Sequence, residues 1–185
     1  MIRAKIEGIE LSLETVPGLF SPRRIDAGTA ALLSCVRFGS GDKVLDLGCG
    51  YGAIGIFAAK IVPAEQVYMI DNDPVAIECA ARNAVFNGVD MAHIFRSNGF
   101  ETLRETGFTK ILCNPPYHVD FSVPKLFIEK GFNRLAVGGS MWFVTKRETW
   151  YRNKLKSVFG GVSVRRIDSY CVFEAVKKTV SRAGR

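Results

Sequence analysis

LDLGCGYGAIG, residues Leu45 to Gly55, decides how this chain folds. Ahead of it, Lys43–Leu47 reads as a short apolar strand; behind it, Ala53–Ile61 reads as a helix ended near Pro63. The three alternating glycines between them, Gly48, Gly50 and Gly52, let the backbone turn tightly and come close to a ligand. A turn with no ligand leaves that spacing unexplained. A loop of this kind serves either a dinucleotide pyrophosphate or an adenosylmethionine. Ala53 stands where a dinucleotide fingerprint has its third glycine, although that position tolerates alanine. Asp46, at the strand end, separates the two more sharply. Its carboxylate repels a pyrophosphate and favours the cationic amino group of a methionine moiety, directly or through water.

Outward from this loop, strands alternate with helices. Gln66–Ile70 is a second strand, followed by Asp71 in the run YMIDNDP, 23 residues after Gly48. An acidic residue about 20 positions beyond a glycine loop is the expected acceptor for two ribose hydroxyls. Asn72 is a candidate for the adenine edge, and Asp73 reads as a helix cap with Pro74 at the first helical position. That helix runs to Phe86 and ends at Asn87-Gly88. His93–Arg96 is a third strand, and in the loop after it Asn98 reads either as a partner of the adenine amino group or as a turn asparagine before glycine. Lys110–Cys113 is a fourth strand and Val123–Ala136 a helix closed by Gly138-Gly139. Ser140–Lys146 is a fifth strand, Glu148–Phe159 a helix, and Val162–Ile167 with Cys171–Lys177 an antiparallel hairpin. The pattern predicts an α/β fold: a three-layer sandwich around a mostly parallel sheet with a C-terminal antiparallel hairpin. Ligands of such sheets bind at the carboxyl ends of the strands, where all of these motifs fall.

The fourth strand ends in Cys113-Asn114-Pro115-Pro116-Tyr117-His118. Consecutive prolines fix the loop, so the Asn114 amide and the Pro115 carbonyl are held rigidly. Both accept hydrogen bonds from an –NH₂ group. Such a nitrogen is a poor nucleophile when its lone pair is delocalised into a ring or carbonyl; two acceptors on its hydrogens stabilise the positive charge it gains in attacking a methyl group. Tyr117 offers a flat face to a planar substrate, and His118 fits either a substrate contact or a loop cap. The alternative, a rigid turn after a strand, weakens once the glycine loop and Asp71 precede it.

Composition sets the frame. The chain has 185 residues, 48% hydrophobic and 23% charged, as expected of one globular domain over 1–185. No apolar run approaches the ~20 residues of a membrane span, and Glu7, Glu10 and Glu14 break any signal-peptide core, so a cytoplasmic location is expected. Five widely spaced cysteines and two distant histidines fit reduced thiols and no metal site. The net charge is +7, yet residues 1–145 hold 14 basic and 15 acidic side chains; the excess sits in 146–185, with 11 basic and 3 acidic. Arg165, Arg166, Lys177, Lys178, Arg182 and Arg185 belong to that stretch, which suits phosphates or simply solubilises a surface, with 178–185 a basic tail.

The glycine loop, the acidic end of the second strand and NPPYH together resemble the class I methyltransferases. More narrowly, the chain resembles the small methyltransferase domain family, which includes bacterial 16S ribosomal RNA guanine-N2 methyltransferases. Gly18-Leu19-Phe20-Ser21 and Asp26-Ala27-Gly28-Thr29 are similar to the family's segment before the first strand, here within residues 1–40, which covers the cofactor. The run from Trp150-Tyr151 through Tyr170–Lys177 is similar to its last helix and hairpin. Val119-Asp120 departs from the family, where a small residue is expected. The longer bacterial members carry an extra N-terminal domain not seen in these residues. The resemblance implies a seven-stranded sheet, S-adenosyl-L-methionine as cofactor on Asp46, Gly48, Gly50 and Asp71, and catalysis at Asn114, Pro115, Pro116 and Tyr117. It implies guanine N2 of ribosomal RNA, free or in an assembled subunit, as substrate, the base being unpaired or extruded. RNA adenine N6, a protein glutamine amide and a non-catalytic RNA-binding module stand as alternatives.

Overall fold

The structure, a computed structural model, describes residues 1–19, 21–115 and 120–180. The chain opens with two short strands, β1 (Ile2–Ile6) and β2 (Ile9–Leu13), paired antiparallel. Glu7 and Gly8 join them with φ of 47° and 84°, the left-handed pair that a two-residue hairpin requires. Asp26 then caps α1 (Ala27–Cys35), its carboxylate accepting the Thr29 N–H. The main sheet is built from β3 (Val44–Leu47), β4 (Val67–Asp71), β5 (His93–Arg96), β6 (Phe108–Cys113), β7 (Leu135–Thr145), β8 (Ser163–Ile167) and β9 (Tyr170–Val176). Between them lie α2 (Ala53–Ala59), α3 (Pro74–Phe86), α4 (Ser122–Arg134) and α5 (Glu148–Phe159).

The strand order is β5-β4-β3-β6-β7-β9-β8. β5, β4, β3, β6 and β7 run parallel, while β9 lies antiparallel to both β7 and β8. After β3 the chain builds outward through β4 and β5, then crosses to β6 on the other side of β3. The crevice of this open sheet therefore lies beyond the carboxyl ends of β3 and β6. β3 is buried at all four residues, as a central parallel strand covered on both faces must be. Its side chains alternate: Val44 joins the core formed with α1, α2, α3 and the hairpin, whereas Leu45 and Leu47 join the core formed with α4 and α5. These two cores define the three layers.

Two features depart from the sequence reading. The helix expected over Val123–Ala136 stops at Arg134, and the chain passes straight into β7, which contains Gly138-Gly139. These glycines form a bulge instead of ending a helix. Gly138 has φ of 87°, its N–H donates to the Lys177 carbonyl, and the Lys177 N–H donates to Gly139. A Cβ on Gly139 would lie 2.7 Å from the Phe108 carbonyl oxygen, so the bulge lets β6 and β7 approach closely. The second departure is the N-terminal hairpin, which docks on α3 through two buried asparagines. Asn83 accepts the Glu14 N–H at 2.7 Å and donates to the carbonyls of Glu14 and Tyr51, both at 2.9 Å. Asn87 accepts the Ser12 N–H and donates back to the Ser12 carbonyl.

Candidate active site at the carboxyl ends of the central strands

Asp46 follows Leu45 on β3, and alternation turns it toward α2 into an apolar layer. It is 1% exposed. Oδ2 accepts the Gly55 N–H at 2.8 Å, while Oδ1 is buried with no partner among the described residues. Burial pushes its pKa up to about 7; the charge of Asp71 adds to the rise and the Gly55 hydrogen bond opposes it. Gly55 is required here, because a Cβ would collide with the Met69 side chain. A buried carboxylate oxygen without a donor calls for a proton or a cation.

The glycine loop packs against the end of β4. The N–H groups of Gly48 and Cys49 both donate to the Ile70 carbonyl. The Gly50 N–H donates to Asp71 Oδ2 at 2.9 Å, and the Asp73 N–H to Asp71 Oδ1 at 3.0 Å. Each Asp71 oxygen keeps a second lone pair for a hydroxyl donor. Gly48 and Gly50 have φ of 77° and 55°, and a Cβ on either would meet nothing within 4 Å. The loop therefore presents bare backbone to an open space. Asn72 and Asn98 are both exposed beside it. The Asn72 carbonyl accepts from Arg96 Nε, and Asn98 Nδ2 donates to Glu101, a contact within its own turn.

Asn114 lies just past β6, next to β3, with Pro115 buried behind it. Its amide nitrogen donates to Asp26 Oδ2 and to Thr29 Oγ1, each at 2.9 Å. Its Oδ1 is buried and has no partner among the described residues. Together with Asp46 Oδ1, it makes two unpartnered buried oxygens at the carboxyl ends of adjacent strands. Pro116, Tyr117 and His118 lie outside the described residues. The contacts of Asp26 and Thr29 with Asn114 were not foreseen in the sequence. The sequence places Asp26-Ala27-Gly28-Thr29 only in the segment that resembles the family's cofactor cover, and nothing local ties either residue to an asparagine 88 and 85 residues away. Tyr51 is buried close by; burial first, then the Asp26 charge, pushes its phenol up to about 12.

The basic C-terminal residues divide. Lys177 is not available to phosphates as expected: it is 7% exposed, and its Nζ donates to the Leu135 carbonyl and sits 4.9 Å from the Phe132 ring centre. Burial lowers its pKa. Arg166 makes a two-point bond to Glu148, at 2.9 and 2.6 Å. Arg165 and Lys178 are exposed, and so are Lys146 and Arg147 just past β7, on the Asn114 edge of the sheet. Arg182 and Arg185 lie outside the described residues.

This strand order, with a glycine loop after the central strand, a carboxylate ending the next and an Asn-Pro turn at the switch point, defines a Rossmann-like methyltransferase fold. The chain belongs to the methyltransferase small domain family, whose model matches residues 10–174. It is 34% identical over 163 residues to the ribosomal RNA small subunit methyltransferase C of Pseudoalteromonas atlantica, covering 85% of this chain and 47% of that protein. It is 31% identical over 169 residues to the ribosomal RNA large subunit methyltransferase G of Alteromonas mediterranea, covering 85% and 41%. Among solved structures it resembles the T. thermophilus 16S rRNA N2 G1207 methyltransferase in complex with AdoMet and guanosine. That match has a TM-score of 0.84 at 28% identity and covers 95% of this chain and 49% of the other. The chain thus spans about half the length of the relatives it matches.

Proposed function

We propose that this domain transfers a methyl group from S-adenosyl-L-methionine to the exocyclic N2 of a guanine in ribosomal RNA. The observation that supports the reading is the Asn114 amide: its nitrogen is fully engaged, and its buried oxygen has no donor among the described residues. An –NH₂ group on a planar base is the donor that fits. The names of the curated relatives point to ribosomal RNA, and the T. thermophilus structure, described as an N2 G1207 methyltransferase with guanosine bound, points to N2 of a guanine.

The residues present fit the cofactor. Asp46 Oδ1 would accept from its amino group, the open backbone of Gly48 and Gly50 would cradle it, and Asp71 would receive the ribose hydroxyls. When bound, S-adenosyl-L-methionine supplies the electrophilic methyl on a sulfonium. Asn114 Oδ1 and the Pro115 carbonyl accept the two N2 hydrogens and align the nitrogen lone pair with that methyl. With the N–CH₃ bond forming as the sulfonium S–CH₃ bond breaks and a neutral thioether leaves, the nitrogen would gain positive charge, which the two acceptors would stabilise. The product nitrogen then loses one proton to water, since no strong base is needed for so acidic an N–H. Lys146 and Arg147 hold backbone phosphates beside the base. Among the described residues no helix is long and apolar enough to cross a membrane.

The test is transfer of labelled methyl from S-adenosyl-L-methionine to total RNA of cells lacking the gene, followed by nucleoside digestion. Label in N2-methylguanosine is expected. Label in N6-methyladenosine keeps the chemistry and replaces the base; no label in any RNA or ribosomal subunit refutes the reading.

A further inference from the structure

We infer that Asp26 and Thr29 are positioning residues that lock the Asn114 amide in the one orientation presenting an acceptor, which makes the site selective for an exocyclic –NH₂. This rests on Asn114 being the group that meets the substrate nitrogen. The last torsion of an asparagine is broad and roughly two-fold, so its oxygen and nitrogen exchange places unless the surroundings tell them apart. Here they do. A carboxylate only accepts hydrogen bonds. Asp26 Oδ2 lies 2.9 Å from the amide position on one side and Thr29 Oγ1 lies 2.9 Å from it on the other. With the nitrogen toward them, both N–H groups are used and Oδ1 faces away. With the amide flipped, its oxygen would meet a carboxylate oxygen, and its two N–H groups would face the substrate. A flipped site would reject an –NH₂ and accept a ring carbonyl.

The lock is itself held rigidly. Asp26 Oδ2 also accepts the Thr29 N–H at 3.1 Å, so the cap of α1 and the clamp on Asn114 are one group. Thr29 is 6% exposed. Gly28 stands between them because a Cβ there would lie 2.8 Å from Asp26 Oδ2 and 2.8 Å from the Tyr170 ring. The N-terminal segment thus sets the hydrogen-bond polarity of a loop far away in sequence.

Two measurements test this. In side-chain amide NMR of the intact protein, the Asn114 –NH₂ pair, assigned by its loss in Asn114→Ala, is expected to be resolved and slow to exchange with water. In the double variant Asp26→Ser with Thr29→Val it is expected to exchange as a free amide; serine keeps the helix cap but is too short to reach Asn114. On whichever RNA the wild type methylates, Thr29→Val is expected to lower kcat about tenfold and the double variant about a hundredfold. Cofactor Kd should stay within about twofold, and Thr29→Ser should restore kcat. A rapidly exchanging Asn114 amide in the wild type overturns the proposal, as does a double variant with wild-type kcat, or one whose cofactor affinity falls as far as its kcat. A wild type that labels another base or none refutes guanine as substrate, while the NMR result stands on its own for the lock.

Discussion

At the scale of single residues, Asp46 is held at one oxygen by the Gly55 N–H and has no partner among the described residues at the other, in an apolar layer. Its pKa of about 7 lies above the ordinary value of 3.8. Between those values the folded, ligand-free protein holds more protons than the unfolded chain, so its stability falls as pH rises through that window. If Asp46 accepts from the cofactor's amino group, binding needs the ionised carboxylate and runs the opposite way. We expect affinity for S-adenosyl-L-methionine to rise up to about tenfold per unit below pH 7 and to level off above it. Asp46→Asn should weaken binding and flatten that profile in calorimetry across about pH 5.5–8; an unchanged slope would remove Asp46 from the amino-group contact. On the proposed role of Asn114 as an acceptor in the transition state, Asn114→Ala should lower kcat about 100- to 1,000-fold with cofactor affinity retained. The placement of Asp46, Asp71 and Asn114 at or near strand ends was legible in the sequence, because local pattern fixes those ends. The contacts of Asp26 and Thr29 with Asn114 were not, because they are reached only through the fold.

Between elements, a few buried polar groups add to the apolar burial of the two cores. Asn83 satisfies three backbone groups that join β2 and the glycine loop to α3. Asn83→Ala leaves them unpaired and should cost about 2–4 kcal/mol in urea unfolding. A loss below about 0.5 kcal/mol would mean the hairpin is held by other contacts. At the β7 bulge, Gly139→Ala drives a Cβ into the Phe108 carbonyl, whereas Gly138 faces open space at positive φ. Gly139→Ala should therefore destabilise by more than the about 1 kcal/mol expected of Gly138→Ala. Equal losses would remove the close β6–β7 approach as the reason for the glycine. Helices with local signals read correctly: α3 begins at Pro74 behind its Asp73 cap and ends at Phe86, as the sequence indicated. The glycine pair at 138–139 misled, because two glycines after an amphipathic run look the same whether they stop a helix or bulge a strand. Only the partner strands distinguish the cases. The N-terminal hairpin was missed for a related reason: Glu7-Gly8 is a weak turn signal, and strands this short carry little periodicity.

On the scale of the whole molecule, the fold brings carboxylates and exposed basic side chains to the same end of the sheet. Asp46 and Asp71 stand on β3 and β4, Asp26 reaches Asn114 just past β6, and Lys146 and Arg147 are exposed just past β7. If Lys146 holds a phosphate, Lys146→Ala should weaken RNA binding and reduce the dependence of log affinity on log salt by about one, with cofactor affinity unchanged. An unchanged salt slope would assign Lys146 to its contact with the Tyr170 ring alone. For transfer to occur, the cofactor half of the site and the Asn114 half must meet around one guanine. A crystal structure of the domain with S-adenosylhomocysteine and guanosine would show whether they do. The guanosine N2 should lie about 2.7–3.2 Å from Asn114 Oδ1, with the cofactor amino group on Asp46 and its ribose on Asp71. A guanosine whose ring carbonyl faces Asn114, or a cofactor bound away from Asp46 and Asp71, would contradict this arrangement.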